Sequence, residues 1–344
     1  MQMPCIFCLS EENLTDEHVF PAFMGGELVV RAGSCDTCNG VFGADEGVLK
    51  AATTPLLNLL QIENRYGVVP NAPLNANIRG MDDLRNLPAF MDGTGEIILR
   101  SVVKESVTEE GKRLRQGFFL TKEEGDKFVE RARAKGLQVV ARDVPAQIVI
   151  EADYTLTMAF TFSAEARKVA AQIALAAIAF EYGIPFALSP CFDVIRKAYK
   201  ATGDRDLRVW IFANEGLMSA HLRTAHQHSV MCYLSAGMKK GWAVVTLFGS
   251  LTYLVELTAS YAAPDSKMFS VFYDAASKAR VSPIVLADEM TLIGHVLSPA
   301  TKFEDRDAVD QQWYPVVSAF CAEKGIIVNR IGGQAQAPQV EGSV

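Results

Sequence analysis

Two cysteine pairs near the N-terminus have the spacing of a metal site. Cys5 and Cys8 form one C-x2-C pair, and Cys35 and Cys38 form a second, with 26 residues between them. Two such turns can supply four thiolates to a tetrahedral Zn²⁺ site with no open position, so the predicted zinc is structural. Free or disulfide-paired thiols are the weaker alternative, because this segment has little room for a hydrophobic core and needs a metal to fold.

The segment between the cysteine pairs contains polar residues in a fixed order. Glu17 is followed by His18, then by Pro21 and by the pair Gly25-Gly26, and Asn39 comes directly after the last cysteine. An imidazole titrates near neutral pH and can act as a general base. Carboxylate and amide oxygens suit Mg²⁺ or Mn²⁺. Activated water and a divalent cation are what phosphodiester hydrolysis requires.

In this order, the elements resemble the HNH (ββα-metal) endonuclease family, in the subgroup whose motif is held by a four-cysteine zinc. The resemblance covers about residues 3–50. It implies a small ββα-metal or treble-clef module, a catalytic Mg²⁺ or Mn²⁺ beside the structural Zn²⁺, and products with 5′-phosphate and 3′-hydroxyl ends. It also implies that His18 is the general base and that Glu17 and Asn39 bind the catalytic ion. Glu17 is preferred to Asp16 because the family places its ligand directly before the base.

Other interpretations of these residues remain open. Outside such a context, a Glu-His dipeptide is more often a solvated surface pair. Asn39 can instead serve only to favour the turn between the second cysteine pair and the helix that follows it. Residues 28–34 lack the asparagine that gives the family its middle letter. This absence favours the alternative function, a non-catalytic zinc-ribbon protein that binds nucleic acid or regulates another process.

The charge distribution bears on where nucleic acid would bind. The formal net charge is −7, which argues against a simple basic DNA-binding protein. Residues 1–50 hold eight acidic and two basic residues, whereas residues 100–142 hold seven acidic and eleven basic residues. We therefore expect DNA, the predicted partner, to be bound mainly outside the N-terminal module. The predicted contacts are Arg31, Arg131, Arg133, Lys135, Arg196 and Lys197. For Arg131, Arg133 and Lys135, a solvated helix face is the default interpretation.

The rest of the chain predicts an α+β protein. The predicted division is an HNH module at 1–60, a linker-like region at 61–95, an α+β domain at 96–332 and a disordered tail at 333–344. The larger domain would serve target recognition, sensing or dimerisation. Helices are predicted at 44–62 with a break or kink at Pro55, and at 121–135, 163–182 and 192–201. Strands are predicted at 96–103, 138–140, 146–150, 154–162, 207–212, 229–234, 241–248 and 252–260, the last four in an antiparallel sheet.

The sequence also bears on the compartment and the partners. No apolar run is long enough for a membrane span, and the N-terminus lacks the pattern of a secretory signal. Close cysteine pairs within an odd total of seven fit a reducing compartment. We therefore expect a cytoplasmic protein without a membrane partner, and a homodimer or higher oligomer remains open. A role in restriction or anti-phage defence is an analogy from the architecture. The histidines His221, His226 and His228 are interpreted as part of a polar loop.

Overall fold

The structure is a computed structural model that describes residues 3–78, 87–107, 113–140, 150–151, 163–200, 207–212, 224–282, 289–298, 302–303 and 318. The chain divides into two compact units. Unit 1 comprises Met1–Ala52, Ile62–Tyr66 and Phe160–Val344, and unit 2 comprises Thr53–Gln61 and Gly67–Ala159. The strands predicted at 154–162, most of the strand at 146–150, His221 and the predicted tail at 333–344 lie outside the described residues.

The N-terminal module has the order strand, strand, helix. Its elements are β1 (Leu14–His18), a 3₁₀ turn (Ala22–Met24), β2 (Val29–Cys35) and α1 (Asp36–Leu59). The two strands form an antiparallel hairpin. This ββα order, followed by a larger unit rich in sheet, confirms the predicted mixed fold.

Helix α1 differs from the predicted helix at 44–62. It begins eight residues earlier, at Asp36, which directly follows Cys35, the first cysteine of the second pair. It also continues through Pro55 and ends four residues later, at Leu59. A proline inside a helix removes one backbone hydrogen bond, and here that loss falls in the last turns. The helix is therefore not broken at Pro55, and the other predicted outcome, a kink there, remains a prediction.

The described residues of unit 2 form short antiparallel strands and a helix, besides the last turns of α1. They are β3 (Ala72–Ile78), β4 (Leu87–Met91), β5 (Ile97–Leu99), β6 (Val102–Val107), β7 (Arg113–Phe118), α2 (Lys122–Ala134) and β8 (Ile150–Glu151). One sheet has the strand order β5-β4-β3-β8, and β6 and β7 form a separate hairpin. The predicted helix at 121–135 is confirmed as α2, with the Thr121 side chain accepting a hydrogen bond from the Glu124 amide.

This region differs from its sequence-based predictions in two places. Strands β3 and β4 lie within 61–95, which the sequence indicated as linker-like. Pro73 and Pro88 are each the second residue of a strand, close to the positions where a missing N–H is tolerated. The domain boundaries themselves remain a prediction. The predicted strand at 138–140 is wrong, since these residues form no strand and Val140 is almost fully exposed.

The remainder of unit 1 is a large antiparallel sheet with helices. Its strands are β9 (Val209–Phe212), β10 (Gln227–Ser235), β11 (Lys240–Leu247), β12 (Leu251–Thr258), β13 (Lys267–Asp274), β14 (Ala279–Val281) and β15 (Lys302–Phe303). They lie in the order β14-β13-β10-β11-β12-β9-β15. The helices are α3 (Ala164–Tyr182), α4 (Ile184–Ala187), α5 (Asp193–Lys200) and α6 (Glu289–Leu297). The predicted antiparallel sheet and the predicted helices at 163–182 and 192–201 are confirmed. Within the described residues, no helix is long and apolar enough to cross a membrane.

Helix α3 is the central helix of unit 1. The Ser163 hydroxyl accepts a hydrogen bond from the Ala166 amide at 3.2 Å, and Gly183, with a φ of 85°, ends the helix. Twelve of its nineteen residues are buried. It packs against β2 of the N-terminal module and against β10, β11 and β12 of the large sheet. The ββα module is therefore built onto the core of unit 1.

Aromatic contacts fix the loop after β1 to the large sheet. Phe20 is fully buried, with its ring centroid 5.5 Å from that of His228 and 5.9 Å from that of Tyr273. The Tyr273 hydroxyl donates a hydrogen bond to the Gly25 carbonyl. His228 lies on β10 and is fully buried, so its interpretation as part of a polar loop is wrong. Its Nδ1 accepts a hydrogen bond from the Phe248 amide at 3.3 Å, which a histidine in a core requires.

Burial of His228 predicts a pH-dependent stability. Burial lowers the pKa of His228 from its ordinary value of 6.5 to about 3. Between these values the unfolded chain binds a proton that the folded chain excludes, so the free energy of unfolding falls as the pH falls below 6.5. From pH 7.5 to 5.5 the wild type should lose about 1.4 kcal/mol more than His228→Gln, measured by urea unfolding. The same pH dependence in both proteins would contradict this assignment.

Candidate active site and zinc centre

The four cysteines converge on one point. The four Sγ atoms lie within 4.8 Å of one another, and those of Cys8 and Cys35 are 3.4 Å apart. Zinc–sulfur bonds of about 2.3 Å in a tetrahedron place sulfur atoms roughly 3.8 Å apart, so this donor set fits Zn²⁺. The first turn is held by a hydrogen bond from the Leu9 amide to the Cys5 carbonyl, and it is tied to β2 by the Ile6 amide and the Gly33 carbonyl.

The thiols lie close enough to form hydrogen bonds with one another. A hydrogen bond from Cys38 lowers the pKa of Cys5 to about 5, whereas the proton shared with Cys5 raises the pKa of Cys38. Metal binding displaces such protons. Among the residues that the structure describes, these cysteines are the one group of three or more His, Cys, Asp or Glu side chains close enough to hold an ion.

Glu17 points into the core. Its side chain is 2% exposed, and its Oε1 accepts a hydrogen bond from Gln172 Nε2 at 2.9 Å. Burial raises the pKa of Glu17 to about 7, and hydrogen bonds with Gln172 and Ser34 oppose that rise. The neighbouring Asp16 is instead bound by the Arg31 guanidinium and the Ala32 amide at the surface. Of the two neighbouring acidic residues, Glu17 therefore lies inside the module and Asp16 lies at its surface.

Asn39 lies in the first turn of α1 and is linked to both strands. Its Oδ1 accepts a hydrogen bond from Ser34 Oγ at 3.0 Å, and its Nδ2 donates to Thr15 Oγ1. Ser34 thus links Asn39 to β2, and Thr15 links it to β1, the strand that carries Glu17. A carbonyl oxygen accepts two hydrogen bonds, so Asn39 Oδ1 retains a lone pair for a cation. The Glu17 carboxylate and the Asn39 amide offer oxygens of the kind that Mg²⁺ or Mn²⁺ prefers.

His18 lies at the end of β1 beside the glycine pair. Burial lowers the pKa of His18, the Gly26 carbonyl opposes this change, and the Arg65 charge adds to it. The imidazole is therefore neutral near pH 7, the form that accepts a proton. Its Nδ1 is buried and has no hydrogen-bond partner among the described residues. Gly26 must be glycine because a Cβ there would lie 2.0 Å from the Phe20 carbonyl oxygen.

Arg65 was not singled out by the sequence analysis. Its amide donates a hydrogen bond to the Ala22 carbonyl at 3.3 Å, which joins this segment to the loop after β1. Its guanidinium carbon lies 4.7 Å from the centroid of the Tyr66 ring, and Tyr66 is 72% exposed. The adjacent basic and aromatic residues were the available signal, but they fall in the region interpreted as linker-like.

The residues predicted to contact nucleic acid lie on different elements of the fold. Arg31 is 84% exposed and pairs with Asp16 at 2.6 Å. Lys197 is exposed on α5, and Arg131, Arg133 and Lys135 are exposed at the end of α2 in unit 2. For these residues nucleic-acid contact remains a prediction.

The placement of Arg196 counts against its predicted contact with nucleic acid. The side chain is 3% exposed. It donates to the Ala187 and Ser189 carbonyls at 2.8 and 2.6 Å and forms an ion pair with Asp193. These carbonyls follow the short helix α4 and need a donor, which explains why a charged residue is buried there. Arg196 therefore stabilises this turn.

The geometry of the module agrees with what comparison of the sequence shows. Residues 5–47 match the family model described as HNH endonuclease. The matched segment contains the four cysteines together with Glu17, His18 and Asn39. The match supports a nuclease-type function for this HNH module and implies a nucleic-acid substrate. It covers 43 of the 344 residues (5 to 47 inclusive), so Gln172 and Arg65 lie outside it. No curated protein and no solved structure matches the chain.

Proposed function

We propose that this protein is a metal-dependent endonuclease that hydrolyses phosphodiester bonds of nucleic acid, with DNA as the expected substrate. The observation that carries the proposal is the placement of Asn39, whose amide is hydrogen-bonded to Thr15 of β1 and to Ser34 of β2, inside a module that matches HNH endonucleases. These bonds tie the amide to the strand on which Glu17 lies two residues after Thr15. His18 follows Glu17 on the strand that carries it.

Each residue of the site has a role in the proposed hydrolysis. His18, neutral near pH 7, takes a proton from the attacking water as general base. Glu17 and Asn39 would hold Mg²⁺ or Mn²⁺, which supplies charge stabilisation to the phosphate and the leaving oxygen. The four cysteines would hold Zn²⁺ with no open position, so that metal keeps β1 and α1 in place and has no chemical role. One such site cuts one strand, and a double-strand break requires two modules or two events.

The proposal also includes a role for the larger part of the chain, outside the HNH module. We propose that it selects the target, senses a signal or dimerises, and that the cleavage serves restriction or anti-phage defence by analogy with the architecture. A cytoplasmic location belongs to the same proposal. The competing function is a zinc-ribbon protein that binds nucleic acid without cutting it.

Cleavage assays with ion titration test the proposal against this competitor. Zinc-loaded full-length protein should cleave nucleic acid when Mg²⁺ or Mn²⁺ is added, and Glu17→Gln should raise the ion concentration needed or abolish cleavage. Glu27→Gln is the matched control, since Glu27 lies at the surface. Binding of nucleic acid without cleavage in either ion would favour the zinc-ribbon function.

Arg65 is expected to contact a phosphate close to His18. The module otherwise carries an excess of acidic residues, so a cation at this position would offset repulsion of the substrate. Arg65→Ala should weaken DNA binding and reduce the slope of log affinity against log salt by about one. Arg208→Ala is the control, because Arg208 is also an exposed arginine of unit 1 but pairs with Glu256 of the large sheet. Equal effects of the two substitutions on affinity and slope would contradict a specific role for Arg65.

A further inference from the structure

Gln172 connects the HNH module to the central helix of unit 1. It lies on α3, 155 residues after Glu17 in the chain, and is 4% exposed. Its Nε2 donates to Glu17 Oε1 at 2.9 Å and to Glu46 Oε1 at 3.1 Å. A single amide nitrogen therefore uses both of its protons on two carboxylates, one from β1 and one from α1.

These contacts are strong ones in a buried setting. Hydrogen bonds from an amide to a carboxylate are stronger than those between neutral groups, and removal of the donor leaves a buried acceptor unsatisfied. One turn earlier on α3, Lys168 lies 3.9 Å from Asp45 of α1, so the two helices meet along this line. Without the amide between them, Glu17 and Glu46 would face each other as like charges.

The other end of the same amide is unsatisfied. Gln172 Oε1 is buried and has no hydrogen-bond partner among the described residues. The two donated hydrogen bonds therefore fix the position of this side chain.

We propose that Gln172 is a positioning residue for Glu17, which it holds in the orientation that binds the catalytic ion. Helix α3 thereby becomes part of the nuclease site, and the inference rests on the proposed function. A glutamate side chain has three rotatable bonds, so a fixed donor lowers the cost of ordering its carboxylate around an ion. Disturbance of α3 would then reach the ion site through one side chain.

Gln172→Met tests this inference because it keeps the volume of the side chain and removes both donors. In zinc-loaded full-length protein, Mn²⁺ binding followed by electron paramagnetic resonance should weaken at least tenfold, consistent with the effects of residues that orient metal ligands. The Mg²⁺ concentration for half-maximal cleavage should rise by a similar factor, with kcat at saturating Mg²⁺ within a few-fold of wild type. Leu175→Met, a buried substitution on the same helix, should leave both midpoints unchanged.

Further variants separate the possible outcomes. In the Glu17→Gln background, Gln172→Met should not weaken Mn²⁺ binding further, because the residue that it positions is gone. If Gln172→Met does not fold, Gln172→Asn replaces it, because asparagine keeps the amide on a side chain one methylene shorter. Gln172→Asn should also raise the midpoints for Mn²⁺ binding and for Mg²⁺-dependent cleavage. Unchanged Mn²⁺ and Mg²⁺ midpoints in the folded variant would overturn the inference, even if wild type cleaves. Mn²⁺ binding that depends on Glu17 and Gln172 without cleavage would uphold the inference and overturn the proposed function. If the wild type shows no Mn²⁺ binding that depends on Glu17, both the inference and the proposed function are overturned.

Discussion

Replacement of His18 by alanine is expected to reduce nucleic-acid cleavage by about 10²- to 10⁴-fold, the usual contribution of a general base. The imidazole lies beside the Gly26 carbonyl, and burial lowers its pKa, so it is ready to accept a proton near neutral pH. Single-turnover cleavage at saturating Mg²⁺ or Mn²⁺ measures the effect on the chemical step. Zinc content and DNA affinity should remain those of the wild type.

A second histidine provides the control for this experiment. His226 lies in the turn before β10, so His226→Ala should cleave at close to the wild-type rate. Loss of folding in His18→Ala would appear as a lower melting temperature or lost zinc, and both are measured in the same preparation. Turnover of His18→Ala within a few-fold of wild type would remove His18 from the mechanism.

Replacement of Cys38 by serine is expected to release the zinc and unfold the ββα module. Structural Zn²⁺ binds with an apparent free energy of roughly 10–16 kcal/mol in zinc-finger peptides, which is more than the whole stability of most domains. The four thiols hold the turn before β1 against the start of α1, the elements that carry His18 and Asn39. Cleavage should therefore disappear with the zinc, although no cysteine takes part in the chemistry.

Elemental analysis and hydrogen exchange check this expectation. Cys191→Ser is the matched control, since Cys191 is half-buried far along the chain and contacts Ser189 rather than the cluster. It should retain zinc and protection of the β1 and β2 amides, whereas Cys38→Ser loses both. A pure wild-type protein that lacks zinc and still shows a folded module would contradict the zinc assignment.

The local parts of this site could be predicted from the sequence. The two C-x2-C pairs lie next to turns that bring their thiols together, so spacing alone indicated the cluster. Alternation along β1 separates Glu17 from its neighbours, as expected for a strand. Helix α3 carried its signals within its own residues, a serine cap at one end and a glycine at the other.

Contacts between distant residues could not be predicted in this way. Gln172 appears in the sequence as one polar residue on an apolar helix, and nothing local indicates that it faces Glu17. His228 and Tyr273 enclose Phe20 only because β10 and β13 pair in the folded sheet. Arg196 belongs to an amphipathic helix whose basic residues predicted nucleic-acid contact, but its guanidinium is buried by hydrogen bonds to the carbonyls of Ala187 and Ser189.

The most direct test of the central claim is the identity of the product ends. Covalently closed circular plasmid and circular RNA are incubated with zinc-loaded full-length protein, with and without added Mg²⁺ or Mn²⁺, and the new ends are labelled enzymatically. The proposal predicts nicked circles that form only with the added ion and carry 5′-phosphate and 3′-hydroxyl ends, and it predicts their loss in His18→Ala. Intact circles of both kinds with wild-type protein in either ion, or equal nicking by His18→Ala, would contradict it.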